Sequence, residues 1–360
     1  MKYTSIALGF SKRLIASGMV VAAGLVAITF NSSPAFGQFV GPQPLQLQNG
    51  WFGEATATSL PSVEEVDGIV QFRGAVAGGV SPTLFHLPPS LTPSTSVFIP
   101  VDLCNSTNGR LQIEIDGTVI VQAENNKFSN AQCFTSLDGA SFALNATGFT
   151  PLTLINGWTT APFNSSNAAV KKSNGVVHFM GAIATKGNNP EPFVLPAAFR
   201  PATDIFVNVD LCNQTKGELH ITPSGVVNVE AENGNFSNAQ CFTSLDGASF
   251  TPANTPAFQA LSLIDGWTNA PLSTAIARVT NAYGVVSFKG AIANGTSPFA
   301  FQLPPQFSPV TEVFIPIDLC NAHKGRLHIT TSGFGSIETE GDDFANAQCF
   351  TSLEGASFVQ

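Results

Sequence analysis

Three carboxylates recur at matched positions along this 360-residue chain. Asp102, Glu124 and Asp138 return as Asp210, Glu232 and Asp246, and again as Asp318, Glu340 and Glu354. An acidic trio of this kind suits two chemistries. Paired carboxyl groups can serve as acid and nucleophile, or acid and base, in glycoside hydrolysis. Clustered carboxylate oxygens can also found a calcium site. A structural reading stands beside both. Asp138 precedes Gly139 and would hold a turn, while Asp102 and Glu124 would end strands with their carboxylates bonded to backbone. The exchange of Asp for Glu at position 354 suits a turn or a solvated strand end better than a catalytic constellation.

No nucleophile–base partnership recurs beside these acids. The histidines are His86, His178, His220, His323 and His328. Position 86 becomes Val194 and Gln302, His178 becomes Gln or Ser, and His220 and His328 share a slot that Gln112 fills in the first copy. Alternation along the strands turns these positions outward. Neither a Ser-His-Asp arrangement nor a G-x-S-x-G elbow is repeated, so a non-enzymatic protein is the expectation. Trp51, Trp158 and Trp267 each follow a Gly; an exposed indole would stack on a sugar ring, whereas burial at the start of each copy is the favoured reading.

The six cysteines are Cys104, Cys133, Cys212, Cys241, Cys320 and Cys349, two per copy with 28 residues between them. One bridge within each copy, Cys104–Cys133, Cys212–Cys241 and Cys320–Cys349, lets every copy close itself. A loop of that length stabilises by about 3–4 kcal/mol in the chain-entropy view. Zinc would require close pairs such as C-x2-C, which the chain lacks. No cofactor is expected, calcium being the one ion the acids leave open.

These residues must be positioned by a repeated unit. The segment "NAQCFTSLDGASF" fills 130–142, returns unchanged at 238–250 and recurs with Glu for Asp at 346–358. It reads as a closing strand, with Cys133 tying it back, Asp138-Gly139 turning it, and Phe134, Leu137 and Phe142 as core candidates. Each unit is about 100 residues long, beyond the length of solenoid repeats. Period-two alternation, as at Leu111, Ile113 and Ile115 against Gln112 and Glu114, with Gly and Pro between short runs, predicts antiparallel sandwiches. The "LPP" or "LPA" before each "VFIP" or "IFVN" is expected to begin an edge strand or an extended approach. The second copy gains one residue between Gly181 and Leu195, in the loop "ATKGNNPEP". Loops at "AGGVSPT", "TKGNNPEP" and "NGTSP" differ most and would carry ligand differences. The expected organisation is all-β: three tandem antiparallel β-sandwich repeats at 38–143, 144–251 and 252–360, behind a signal peptide at 1–37.

Charge and composition narrow the partners. Hydrophobic residues make up 44% of the chain and charged residues only 11%, so cores are affordable and charge is scarce. The formal net charge is −9, which argues against nucleic acid and against electrostatic docking on anionic lipid. The cationic start with Lys2, Lys12 and Arg13, the apolar run 14–30 and the small residues before Gln38 read as a secretory signal, cut after Ala35 or Gly37. A retained membrane anchor is the alternative for that run. No later segment is long and apolar enough to span a bilayer, so the remainder is expected to be exported to the periplasm or the exterior.

The second copy carries "INGWTTAP", "GVVHFMGAI", "FVLPAAFRPATDIFVNV", "GELHITPSGVVNV" and "SLDGASF". This order resembles the C-terminal β-sandwich modules of phage tail appendages, which bind receptors. The likeness runs through nearly all of each copy, but the Phe199-Arg200-Pro201 element is matched in the second alone. It implies attachment to surface glycans or other cell-surface ligands, with no ligand-contacting residue carried over because the matching motifs are turns and core. A secretion signal and a disulfide per copy depart from a tail assembled in the cytoplasm. The expected role is therefore an exported bacterial adhesin-like or structural protein, with a glycan hydrolase using the carboxylates as the alternative.

Overall fold

A computed structural model describes residues 39–252 and 258–360. The signal segment and its cleavage site lie outside the described residues. The first repeat contains β1 (Phe39–Pro44), β2 (Phe52–Gly53), β3 (Ser62–Val66), β4 (Ile69–Arg73), β5 (Ala75–Ala77), β6 (Thr83–His86), β7 (Val97–Asp102), β8 (Asn108–Ile113) and β9 (Thr118–Ala123). A short helix α1 (Phe128–Cys133) and strands β10 (Thr135–Ser136) and β11 (Ser141–Ala143) complete it. One sheet runs β1-β3-β4-β11, a second β6-β9-β8-β7, and a small third β10-β5-β2. The other repeats follow this order, except that isolated bridges at Phe193 and Val194 stand in for β6 in the second and a short strand Ser262–Leu263 is added in the third, and every ladder between strands is antiparallel. In the third repeat the second and small sheets merge, because Leu319 pairs with Thr351 inside strands. The matching Leu103–Thr135 and Leu211–Thr243 pairs are isolated bridges.

Alternation explains the sandwich. Val63, Val70, Phe72 and Phe142 point from the first sheet into a core that Phe85, Ile99, Leu111 and Val121 close from the second. Each repeat has such a cluster, and each takes in its tryptophan. The indoles are only 5% exposed. Their N–H groups donate to the carbonyls of Ser81, Asn189 and Ser297 at 2.8, 2.9 and 3.0 Å, so burial leaves no donor unpaired. The β3–β4 hairpin turns on Asp67-Gly68, with φ of 54° and 81°, the backbone a two-residue I′ turn requires. Asn174-Gly175 and Tyr283-Gly284 repeat it.

The thirteen-residue segment is not one strand. Its first third is the end of α1, and a turn at Leu137–Ala140 then separates β10 from β11. Six residues are too few for a 3.6-residue period to show in sequence, and a helix that short is held by its surroundings. Here the support includes the disulfide, which joins the last residue of α1 to Cys104 just beyond β7 across a Cα separation of 5.6 Å. Cys212–Cys241 and Cys320–Cys349 do the same. Ile115 lies past the end of β8 and is exposed.

Residues from 39 onward belong to one compact unit. The repeats interlock cyclically through three corresponding seams. Phe98 meets Phe242, Phe206 meets Phe350 and Phe314 meets Phe134, edge to face at 5.0, 4.9 and 5.1 Å. Each contact leads from one repeat to the next, and the last returns to the first. Strand β7 and its counterparts Ile205–Asp210 and Val313–Leu319 face these seams, the first and third carrying a proline and the second Asn208 in that slot. Their outer carbonyls at Phe98, Phe206 and Phe314 accept hydrogen bonds from Ser244, Ser352 and Ser136 of the neighbouring repeat at 2.6, 2.6 and 2.5 Å. An edge that would otherwise invite foreign strands is thus covered from within the chain.

Candidate functional site

The repeated carboxylates fall into three environments. Asp138, Asp246 and Glu354 sit at the turn before the final strand of each repeat. Each accepts the backbone N–H of a glycine, Gly74, Gly181 or Gly290, at 2.8, 2.7 and 2.8 Å. The longer Glu reaches the same partner, which accounts for the exchange. One oxygen of each is satisfied this way, while Asp138 Oδ2, Asp246 Oδ2 and Glu354 Oε2 are buried with no partner among the described residues. Burial pushes all three carboxyls up to about 7.

Asp102, Asp210 and Asp318 do not bond to backbone as strand-end residues. They are buried at the seams and face cations of other repeats. Arg326 donates to Asp102 and Arg110 to Asp210, each at 3.1 Å. At the remaining seam Glu218 occupies the arginine slot, and Lys216, 1% exposed, pairs with Asp318 instead. Burial and the adjoining Asp318 carboxylate hold Glu218 well above the usual carboxylate range. Burial likewise outweighs the guanidinium partners of Asp102 and Asp210 and takes each up to about 7.

Glu124, Glu232 and Glu340 are likewise not bonded to backbone as strand-end residues. One from each repeat, they converge on a single ammonium. Lys324 Nζ bonds Glu124, lies 3.0 Å from Glu340 and 3.4 Å from Glu232, and His323 Nδ1 approaches Glu232 at 3.3 Å. Burial alone would lower the Lys324 pKa, but the carboxylates more than offset it and raise it. So the trio of any one repeat does not form a cleft, while one member of each trio meets its counterparts across the molecule. Among the described residues no three His, Cys, Asp or Glu side chains are placed to hold a metal ion.

The outward strand faces were expected to meet solvent. Around one shared cavity and at the seams they meet one another instead, while His86 remains exposed. Gln71, His178 and Ser287, at the middle of β4 and its two counterparts, line a cavity of about 120 Å³ together with Ser141, Ser249 and Ser357. His178 is pushed down to about 4 by burial and by Lys171. Tyr283, 69% exposed, also lines this space. His220 and His328 lie flat on Phe206 and Phe314, with ring centroids 4.4 and 4.2 Å apart, inside two of the seams. At the seam between the first and second repeats Gln112 replaces the imidazole, and a cleft of about 440 Å³ opens.

No protein-family model matches the chain, and no curated protein or solved structure matches it. Function therefore has to be argued from these geometries. The sequence reading passed over Arg110, Lys216, Lys324, Arg326 and the serines at 136, 244 and 352. The available signal was scarcity: in a chain with 11% charged residues, cations recurring on strands at the same slot of two repeats are candidates for buried pairing. The disulfides belong with an oxidising, extracellular or periplasmic setting. No helix among the described residues is long and apolar enough to cross a membrane.

Proposed function

We propose that this is a secreted, non-enzymatic bacterial protein that binds cell-surface glycans in an adhesin-like manner, in keeping with the resemblance to phage receptor-binding modules. The observation that carries the reading is the deployment of the repeated carboxylates. Each class of acid has a cohesive partner, a glycine N–H, a seam cation or Lys324, and the three acids of one repeat have different partners. A hydrolase would need two of them flanking one bond. Surface clefts between repeats, not acids, are then left to contact ligand, and several weak contacts on one chain can add through avidity.

The test is a glycan array probed with the disulfide-bonded protein, run beside a turnover assay on whatever binds. Retained, unhydrolysed glycan supports the proposal. Hydrolysis that disappears in the combined Glu124→Gln, Glu232→Gln and Glu340→Gln variant, with folding intact, would establish the enzymatic alternative. A blank array with filament or coat formation would favour a purely structural role.

A further inference from the structure

The seam between the first and second repeats differs from the other two in ways that create a recognisable subsite. Phe163 stands at its mouth, 63% exposed, with φ of 55°. Such a backbone is costly for a bulky residue, and it holds the ring out over the cleft. The ring edge-packs on Phe242 at 5.6 Å, which fixes its orientation while leaving much of it open. Leu272 and Thr56 take this place at the other seams, so neither has a ring.

The polar lining is neutral where it is free. Arg110 is paired with Asp210, and Glu114 accepts from Ser96 and Gln112. Two exposed asparagines that line the cleft, Asn164 next to Phe163 in sequence and Asn213, have side-chain amides with no hydrogen-bond partner among the described residues. An amide both donates and accepts, as a ring of hydroxyls demands, and carries no charge to select a phosphate or an amine. Where Gln112 lines this cleft, His220 and His328 lie over their phenylalanines at the other seams. At about 440 Å³ the cleft falls within the roughly 300–1,000 Å³ of small-molecule sites.

We propose that this cleft is a pyranose-binding subsite, in which the apolar face of one sugar ring stacks on Phe163 and its hydroxyls bond to Asn164 and Asn213. The assignment rests on the glycan-binding reading above and narrows it to one of three seams. The other two seams serve as internal controls.

The experiment titrates the disulfide-bonded protein with methyl pyranosides of glucose, galactose, mannose and N-acetylglucosamine, read by saturation-transfer NMR, in parallel with the array. At least one pyranoside should bind, and Phe163→Ala should weaken it about tenfold or more. Asn164→Ala and Asn213→Ala should each weaken it several-fold, and Leu272→Ala should leave it unchanged. Phe163 is exposed, so Phe163→Ala and Phe163→Leu should fold, which the melting temperature checks. If only larger glycans on the array bind and Phe163→Ala abolishes that binding, the subsite stands. Glycan binding that survives Phe163→Ala undiminished overturns the subsite while leaving the proposed function intact. Silence from both the pyranosides and the array overturns both.

Discussion

A carboxyl group buried with one oxygen unpaired prefers to keep its proton, and the three at the turns add to the raised Asp102 and Asp210 of the seams in setting a pH dependence. Asp138, Asp246 and Glu354 are held at about 7 in the fold, against 3.8 for Asp and 4.5 for Glu unperturbed. Between those values the folded chain keeps protons that the unfolded chain has released. Their contribution to stability is therefore complete below about pH 4 and is lost as the pH rises towards 7. Melting temperatures should fall from pH 5 to pH 8, and the Asp138→Asn, Asp246→Asn, Glu354→Gln variant should flatten that slope. An unchanged slope would mean the carboxyls are ionised and solvated. Glu338, which burial would raise but His328 and Arg326 hold low, acts in the opposite sense at the acid end. A second residue-scale outcome concerns Tyr283, which adopts φ of 55° where Asp67 and Asn174 occupy the same turn position. Tyr283→Asn should stabilise by roughly 0.5–1 kcal/mol in chemical denaturation, since Asn accepts the left-handed region more readily. At this scale the sequence was informative about the turn acids, because Asp138-Gly139 is a local signal. It misplaced Asp102 and Glu124 as backbone-bonded strand ends, because their partners lie in other repeats.

Strands show the same division between what is local and what is not. The period of two gave the right inner faces, and the cysteine spacing gave the right bridges. The outer faces at the seams were misread, though not at His86, because nothing in a strand says whether its polar side meets water or another sheet. That ambiguity hid the seams, where β7, β8 and their counterparts carry matched but unequal ion pairs. Two seams use Arg against Asp, and the third uses Lys216 against Asp318 with Glu218 beside them. Lys216 also reaches the carbonyl of Ala322 at 3.4 Å, the place where Asn108 donates to the carbonyl of Gln214 at 2.7 Å. The combined Lys216→Asn and Glu218→Arg variant would therefore rebuild the first seam at the second. It should raise the denaturation midpoint, most clearly at alkaline pH, where the raised Glu218 would otherwise be forced to ionise beside Asp318. A lower midpoint at every pH would show that the two seams differ in backbone geometry and not merely in side chains.

For the molecule as a whole, burial at the seams makes the repeats mutually dependent. A single repeat such as 144–251, expressed alone and oxidised, would expose Phe206, Phe242 and the Asp210 carboxylate. Light scattering should find it self-associated, where a stable monomer would show that the seams are dispensable. Lys324→Met should cost on the order of 3 kcal/mol by leaving three converging carboxylates without their cation. The repeat count was plain in the sequence, yet its cyclic closure was not, since closure depends on distances between positions about a hundred residues apart. One consequence reaches beyond stability. In an assembly of three identical chains, any side chain at the meeting point is present in triplicate, so a lone lysine among three glutamates could not be specified. Covalent linkage removes that constraint. Asn108, Lys216 and Lys324 descend through one slot yet answer to different neighbours, and a substitution there alters one side chain rather than three. The gene can thus diversify its centre one residue at a time, a freedom that self-assembling trimers lack.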